Sequence, residues 1–405
     1  MLSNKLKVKS KNNILIKKNL FKLVNKYTIH YENNSKYHIA YITYLKDRNG
    51  KDKLIYSHRT GRAAITTWYD LETTRICEIK DNKIIDDKEL IRHNNMSHNL
   101  TLFNNDNNII GYGGVCTSSH TSKNNKGIFY FTFDNYQISN IKLVIPKTIS
   151  IATNYATSFD SNICVFTYNN KVYAYTRYNQ QQGIRRTQLF ISDKFDSGFK
   201  SKGIVVFNDP TVFTYMQNIY IENDIFIGIF RIYRKKYLNS HTVYDCNTKI
   251  SYLLAHSFDG INFIIDNENF IPLFSIYDLL STNYKKNQNK KSFFFSNISP
   301  PNMQKNNTIK EYKIRDGGYI NIEPEVNSNE SEINLQVINN KKNILLNYTI
   351  NNEGYIHLVF LDENQHTIST KQLFIKDHTN NRLDLPINCK LINIKFKKSK
   401  IYQIL

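Results

Sequence analysis

Cysteine, histidine and glycine are the residue types whose spacing most often betrays a cofactor, and here their spacing argues against one. The five cysteines, Cys77, Cys116, Cys164, Cys246 and Cys389, lie far apart and include no C-x-x-C. Neither a zinc site nor a disulfide framework is expected from them, and a reducing compartment is the default. His93 and His98 lack a third ligand at suitable spacing, so no metal is expected. Gly111-Tyr112-Gly113-Gly114 lacks the Lys and Ser/Thr of a phosphate loop, so no nucleotide cofactor is expected either. Arg231-Ile-Tyr-Arg-Lys-Lys-Tyr237 interleaves bases with aromatics as some single-strand binders do. One such strand end is too little to make nucleic acid the expected partner. What remains is guanidinium and phenol chemistry. Arg59, Arg177, Arg185 and Arg231 can bind hydroxyls or a carboxylate. Tyr56, Tyr175, Tyr215 and the single Trp68 can stack on a ring, although core packing is the ordinary use of most tyrosines.

The elements that must position these groups are short strands. Runs such as Gly127–Asp134, Asn162–Asn179 and Tyr220–Tyr233 alternate or carry β-branched and aromatic residues, and Asn, Asp or Gly ends each one. Asn169-Asn170 and Glu222-Asn223-Asp224 read as tight hairpin turns. The stretch from Asn19 to Lys26 is the best short candidate for a helix. An all-β chain is expected. Asp81, Asp134, Asp193 and Asp259 recur between apolar runs at separations of 53, 59 and 66 residues. Four-stranded propeller blades with their loops have about that length. An Asp suits such turns because its carboxylate can accept the backbone N–H two residues on.

The repeat fades after Phe274, and residues 284–307 read either as a Lys/Asn-rich linker or as an irregular last blade. Six short alternating strands then follow within about ninety residues, the pattern of a sandwich. The expected organisation is an N-terminal extension over 1–35, a propeller over 36–309 and a β-sandwich over 310–405. The formal net charge is +20, but Lys, Asn and Ile are over-used throughout. All three have AT-rich codons, so base composition accounts for much of that charge. No apolar run approaches the roughly 20 residues of a membrane helix. The basic N-terminus lacks the apolar centre of a secretory signal, so a cytoplasmic or virion-associated protein is expected.

Several phrases resemble one family, the five-bladed propeller glycosidases related to invertases, levansucrases and arabinanases. Phe159-Asp160-Ser161-Asn162, with the Lys171–Phe195 blade after it, is similar to that family's "FDS-x-N" blade. Ser97-His98-Asn99 with Gly113-Gly114 resembles its "H-N-F … G-G" segment, and Ser257-Phe-Asp259-Gly260 its "S-x-D-G" turn. Arg315-Asp-Gly-Gly-Tyr319, Leu346-Asn347-Tyr348 and Ile394–Tyr402 resemble landmarks of its C-terminal sandwich. The likeness covers roughly residues 40–403. It implies a five-bladed propeller followed by a sandwich, and a carbohydrate partner.

The resemblance also implies a catalytic role for Asp160 and a substrate-side role for His98. Asn162, the four arginines and Tyr215 are expected around it. Read from the residues alone, Asp160 serves equally well as a turn cap through Ser161 and Asn162. Glycoside cleavage needs two acids, about 5–5.5 Å apart for retention and about 6.5–9.5 Å for inversion. The family's second acid falls near Val212 or Phe213, where no carboxylate stands. Glu222, the nearest Glu downstream, reads as part of a solvated turn, and Asp106 is displaced by one residue from a family acid. The expected protein is therefore glycosidase-like in shape with an incomplete catalytic set. The alternative is a non-enzymatic structural or surface protein.

Overall fold

The computed structural model describes residues 6–12, 14–18, 21–29, 37–60, 72–92, 98–105, 108–115, 127–147, 159–179, 184–234, 250–268, 278–287, 290–297, 308–315, 320–324, 330–337, 342–374 and 377–404. Among these the regular structure is strand, and no helix is long and apolar enough to cross a membrane. The chain divides into two compact units. One comprises Phe21–Asn287 with Lys291–Lys313, the other Met1–Leu20 with Gln288–Lys290 and Ile314–Leu405.

The larger unit is built of five sheets that follow one another along the chain, the blades of a propeller, antiparallel but for the short pairing of Val206–Phe207 with Asn262–Glu268. Their first strands are Tyr37–Lys46, Thr101–Asn105, Cys164–Tyr168, Val212–Glu222 and Asp278–Leu280. These strands line the centre, because neighbouring blades meet through them. Thr43 and Thr282 bridge in parallel with their hydroxyls 2.8 Å apart. Asn218 Nδ2 donates to Ser281 O at 2.7 Å, and Cys164 Sγ contacts Ile219 O at 2.9 Å. Asn283 Nδ2 reaches Tyr44 O and Leu102 O. Polar groups that face a neighbouring inner strand thus find partners there.

Apolar side chains on the flat faces fill the spaces between blades. Leu45, Ile55 and Ile76 pack on Leu102, Phe129 and Phe131 between the first two. Tyr112 and Ile128 meet Phe159 and Ala174 between the second and third. Tyr175 and Leu189 meet Phe230 and Leu253 between the third and fourth. The strand Lys22–Thr28 lies antiparallel to Thr308–Arg315 and completes the fifth blade, joining its cluster with the first. The helix expected over 19–26 is thus a strand. Residues 22, 24 and 26 alternate with more buried neighbours, a period of two that a helical count over so short a run does not separate. Residues 285–287 and 290–297 are also strands of this blade, which decides between blade and linker for that stretch.

Turn chemistry follows the residues. Asn169 and Asn170 both have positive φ between the paired Tyr168 and Lys171, the geometry of a two-residue hairpin. Asn223 and Asp224 do the same between Glu222 and Ile225. The Asp259 carboxylate accepts the N–H groups of Ile261 and Asn262, both at 2.8 Å.

In the smaller unit eight strands form one hydrogen-bonded network around a core that includes Leu335, Leu346, Leu358, Ile394 and Phe396. The strand Asn343–Leu361 spans two of the runs read as separate in the sequence. Leu6–Asn12 and Ile14–Lys18 pair with Ser331–Val337 and Ile320–Pro324, so the start of the chain supplies two strands to this unit.

Candidate functional site

Two inner strands are preceded by backbone that ordinary residues rarely adopt. Phe159, with φ of 64°, and Asn99, with φ of 54°, are both left-handed. An Asn tolerates that conformation; a Phe does so at a cost of order 1–2 kcal/mol, and such residues cluster at functional sites. The Phe159 ring is fully buried, its N–H donates to Arg177 O at 3.0 Å, and Ser161 N–H closes back onto its carbonyl at 2.8 Å. This local frame turns the next side chain, Asp160, onto the polar residues of two blades.

Asp160 is held from three sides. Arg177 Nη2 donates to Oδ2, His98 Nε2 lies 3.0 Å from Oδ1, and Asn99 Nδ2 donates to Oδ1 at 3.4 Å. His98 and Arg177 are each 1% exposed, whereas the Asp160 side chain keeps 28% of its surface open. Burial alone would raise its pKa. The adjacent Arg177, the bond and charge of His98, and Arg185 reverse that and hold the carboxyl well below the usual carboxylate range.

Tyr215 lies where the pairing of Val212–Glu222 slips by one residue, between Thr214 and Met216. A bulge re-aims the side chain it carries. Tyr41 occupies the corresponding slip in Tyr37–Lys46, and the two belong to one buried cluster with Ala40, Phe213, Met216 and Tyr233. Three guanidiniums converge on the Tyr215 ring, with carbons 5.4 Å (Arg177), 4.7 Å (Arg185) and 4.6 Å (Arg231) from its centroid. Burial pushes the phenol up, and the three arginines outweigh it, bringing the pKa down to about 7. Behind this group the Thr187 hydroxyl meets Thr214 Oγ1 and Gln217 Oε1, both at 3.0 Å, and Gln217 Nε2 donates to Tyr175 O. These fully buried links join the third blade to the fourth.

Asp160, His98, Arg177, Arg185, Arg231 and Tyr215 are therefore brought together. Asn162 is buried beside them and its Nδ2 reaches Thr101 Oγ1 at 3.4 Å, which ties the second blade to the third. The backbone of Arg59 pairs in Asp52–Thr60, but its side chain lies outside the described residues, as do Trp68, Asp106 and His93. Tyr56 and Tyr175 offer no open ring face for stacking. Tyr56 is buried with its hydroxyl on Asp87 Oδ1, and Tyr175 is buried with its hydroxyl donating to Gly260 O at 2.8 Å. Gly260 has φ of 79°, and a Cβ there would come 2.6 Å from that hydroxyl. Val212 and Phe213 are buried, with Phe213 stacked on Tyr233. Glu222 is not solvated: its carboxylate accepts from Lys291, an amine 2% exposed that lies over the Tyr220 ring. The turn occupies only Asn223 and Asp224, so Glu222 still belongs to the strand, paired with Ile225.

The residues that sequence reading did not single out are Asn99, Gln217, Thr187 and Thr214. Asn99 stood within the His98 phrase, and its need for a left-handed backbone was the available signal. The other three lie inside strands and carry none. Among the described residues no group of His, Cys, Asp and Glu is placed to hold a metal, and Cys77, Cys164 and Cys389 are buried free thiols.

No protein family's sequence profile matches the chain, and no curated protein matches it. Solved structures do. An α-L-arabinofuranosidase of Podospora anserina, solved with cellotriose, aligns with a TM-score of 0.50 at 7% identity over 74% of this chain and 98% of that one. A family 117 glycoside hydrolase of Zobellia galactanivorans aligns at 0.49 and 11% identity over 73% and 90%. A Dyadobacter fermentans protein of unknown function aligns at 0.46 and 11% over 95% and 99%. At these identities the likeness to the arabinofuranosidase speaks for the fold alone: this chain has the β-propeller fold found in glycoside hydrolases.

Proposed function

We propose that the propeller binds a glycan at the ends of its second to fourth inner strands, with Asp160 as the anionic hydrogen-bond acceptor at the centre. The observation that carries this is the Asp160 carboxylate, open on one side and fixed on the others by Arg177, His98 and Asn99. Such a group accepts sugar hydroxyls without having to be ordered first. The propeller fold supports the same ligand class, since an enzyme that shares it was solved with a cello-oligosaccharide.

The chemistry favours binding over two-acid hydrolysis. Asp160 is held ionised by its cations, so it suits an acceptor or charge stabiliser and not a proton donor. Among the described residues it is the one carboxylate hydrogen-bonded into this cluster. The positions where the resembling family carries its next acid hold the buried Val212 and Phe213. A glycan array compared between the wild type, Asp160→Asn and Arg177→Met tests the reading, alongside release of reducing ends from each bound glycan. Binding lost in both variants, with no reducing ends released by the wild type, is expected. Binding indifferent to Asp160 would defeat the assignment of the site, and turnover that Asp160→Asn abolishes would defeat its description as silent.

A further inference from the structure

The smaller unit carries a groove of about 910 Å³ lined by its own residues. Its floor is one face of three paired strands, Ser331–Val337, Leu391–Ile404 and the second half of Asn343–Leu361. Alternation sets that face. Ile333, Leu335, Ile392 and Ile394 belong to the core, so the half-buried Glu332, Asn334, Gln336, Asn393 and Lys395 take the opposite side. Register then sorts the floor into rows. Asn334 pairs with Asn393 and Asn393 with Val359; Gln336 pairs with Leu391 and Leu391 with Leu361. Rows on one face lie about 7 Å apart along the strands. One flank of the floor is therefore carboxylate and amide, and the other is aliphatic.

The polar flank is set before a ligand arrives. Asn334 Nδ2 donates to Glu332 Oε1 at 3.0 Å, Asn393 Nδ2 donates to the same oxygen, and Asn393 Nδ2 also reaches Asn334 Oδ1 at 2.7 Å. Groups fixed in this way lose little freedom on binding. Asn393 Oδ1 is shielded and accepts no hydrogen bond among the described residues. A shielded acceptor without a donor is unfavourable, and a ligand hydroxyl would relieve it. The lining is also balanced in charge. It holds Glu332 and Glu363 with Lys390 and Lys395, two of each sign, in a chain of 54 Lys and Arg against 34 Asp and Glu. Such a groove favours neither an anion nor a cation. Hydroxyl acceptors on one flank, aliphatic carbon on the other and no net charge together match a sugar, whose ring has hydroxyl edges and a C–H face.

We infer that this face of the smaller unit is a second saccharide site, for a neutral oligosaccharide with its hydroxyls on Glu332, Asn334 and Gln336 and a C–H face on Val359 and Leu361. It shares no residue with the Asp160 site and stands independently of that reading. The described lining holds no aromatic ring. Binding is accordingly weak, with a Kd of about 1 mM, and does not survive the washing of a glycan array.

Saturation-transfer NMR on the full chain tests this, with neutral hexasaccharides of glucose, xylose, mannose and arabinose at millimolar concentration and a hexauronate as the charged control. The wild type, Asp160→Asn, and Asp160→Asn carrying Asn334→Ala and Gln336→Ala are compared, with circular dichroism to confirm folding. Asp160→Asn is expected to keep the signal of at least one neutral probe, with the hexauronate no stronger. The added pair is expected to weaken that signal threefold or more, and the same pair in the wild-type background to leave array binding unchanged. Loss of every neutral signal in Asp160→Asn alone, an outcome that needs no groove variant to fold, overturns the second site. So does a signal that survives the added pair, or a preference for the hexauronate. Self-association that the added pair abolishes, without any saccharide signal, makes this face a contact between copies and also overturns it. If array binding is indifferent to Asp160 while the groove signal stands, the propeller reading falls and this one does not.

Discussion

Lys291 with Glu222 and the cluster of Asp160, Tyr215 and three arginines are both buried charge in the same propeller, composed differently. The first matches one ammonium to one carboxylate, with Tyr220 and Tyr284 rings over the amine. The second sets three guanidiniums against one carboxylate and a phenol. A matched pair holds a fold in one arrangement and asks nothing of solvent. Glu78 in the first blade takes two ammoniums, Lys53 at 2.8 Å inside and the exposed Lys51 at 3.1 Å. Solvent access to the carboxylate, 28% at Asp160 against 10% at Glu222, separates the candidate site from the pair.

The contrast breaks first at Lys291. Lys291→Met leaves Glu222 buried without its described cation, and a loss of about 3–5 kcal/mol in urea unfolding is expected. Adding Glu222→Leu should restore most of it, because an apolar pair of similar volume replaces a buried ion pair at little net cost. Were the single variant as stable as the wild type, the pair would not be structural.

Asp160→Asn comes next. It removes charged hydrogen bonds from Arg177 and His98, and a loss of about 1.5–3 kcal/mol is expected together with the loss of glycan binding. The folded carboxyl lies below its ordinary value near 3.8, so its contribution is complete above that pH and is lost as the pH falls toward the folded value. The stability gap between wild type and variant, measured by urea unfolding from pH 7 to pH 3, should therefore be constant down to about pH 4 and begin to narrow below it. Arg185→Gln should cost less, about 0.5–1 kcal/mol, because it removes one half-buried cation from the face of the Tyr215 ring. The smallest effect on the site is expected at a turn far from both groups. Asn169→Val forces a β-branched residue into positive φ and should cost about 1–2 kcal/mol with saccharide binding unchanged.

Most of the architecture was legible in the sequence because it rests on local signals. The paired asparagines at 169–170 and the Asp259 turn need only their neighbours, and alternating apolar runs fix which face of each strand is buried. Asp160, His98, Arg177, Arg185, Arg231 and Tyr215 could also be singled out in the sequence, and they converge in space. Their roles were less so. The buried state of Glu222 depends on Lys291, 69 residues away. The packing duty of Tyr175 depends on Gly260, 85 residues away. Strand Lys22–Thr28 takes its identity from Thr308–Arg315, a partner at the other end of the propeller. Each of these is decided by long-range pairing, which local patterning does not encode. The gathering of three arginines on Tyr215 is of the same kind, since it appears only when two blades are brought together.

Tyr215 also provides its own probe. Its phenol should titrate near pH 7, about three units below an ordinary tyrosine, and the ultraviolet difference signal of tyrosinate at that pH should vanish in Tyr215→Phe. Because the folded value lies below the ordinary one, the group adds stability above pH 10 that is lost as the pH falls through 7. A saccharide seated against the arginines would bury the phenol further and draw their hydrogen bonds away from it, so the midpoint must rise on binding. The most direct test of the glycan site is therefore the Tyr215 titration with and without a saturating oligosaccharide. A midpoint near 7 that moves upward with the ligand is expected. A midpoint near 10 in the free protein, or one that the bound ligand leaves unmoved, would contradict it.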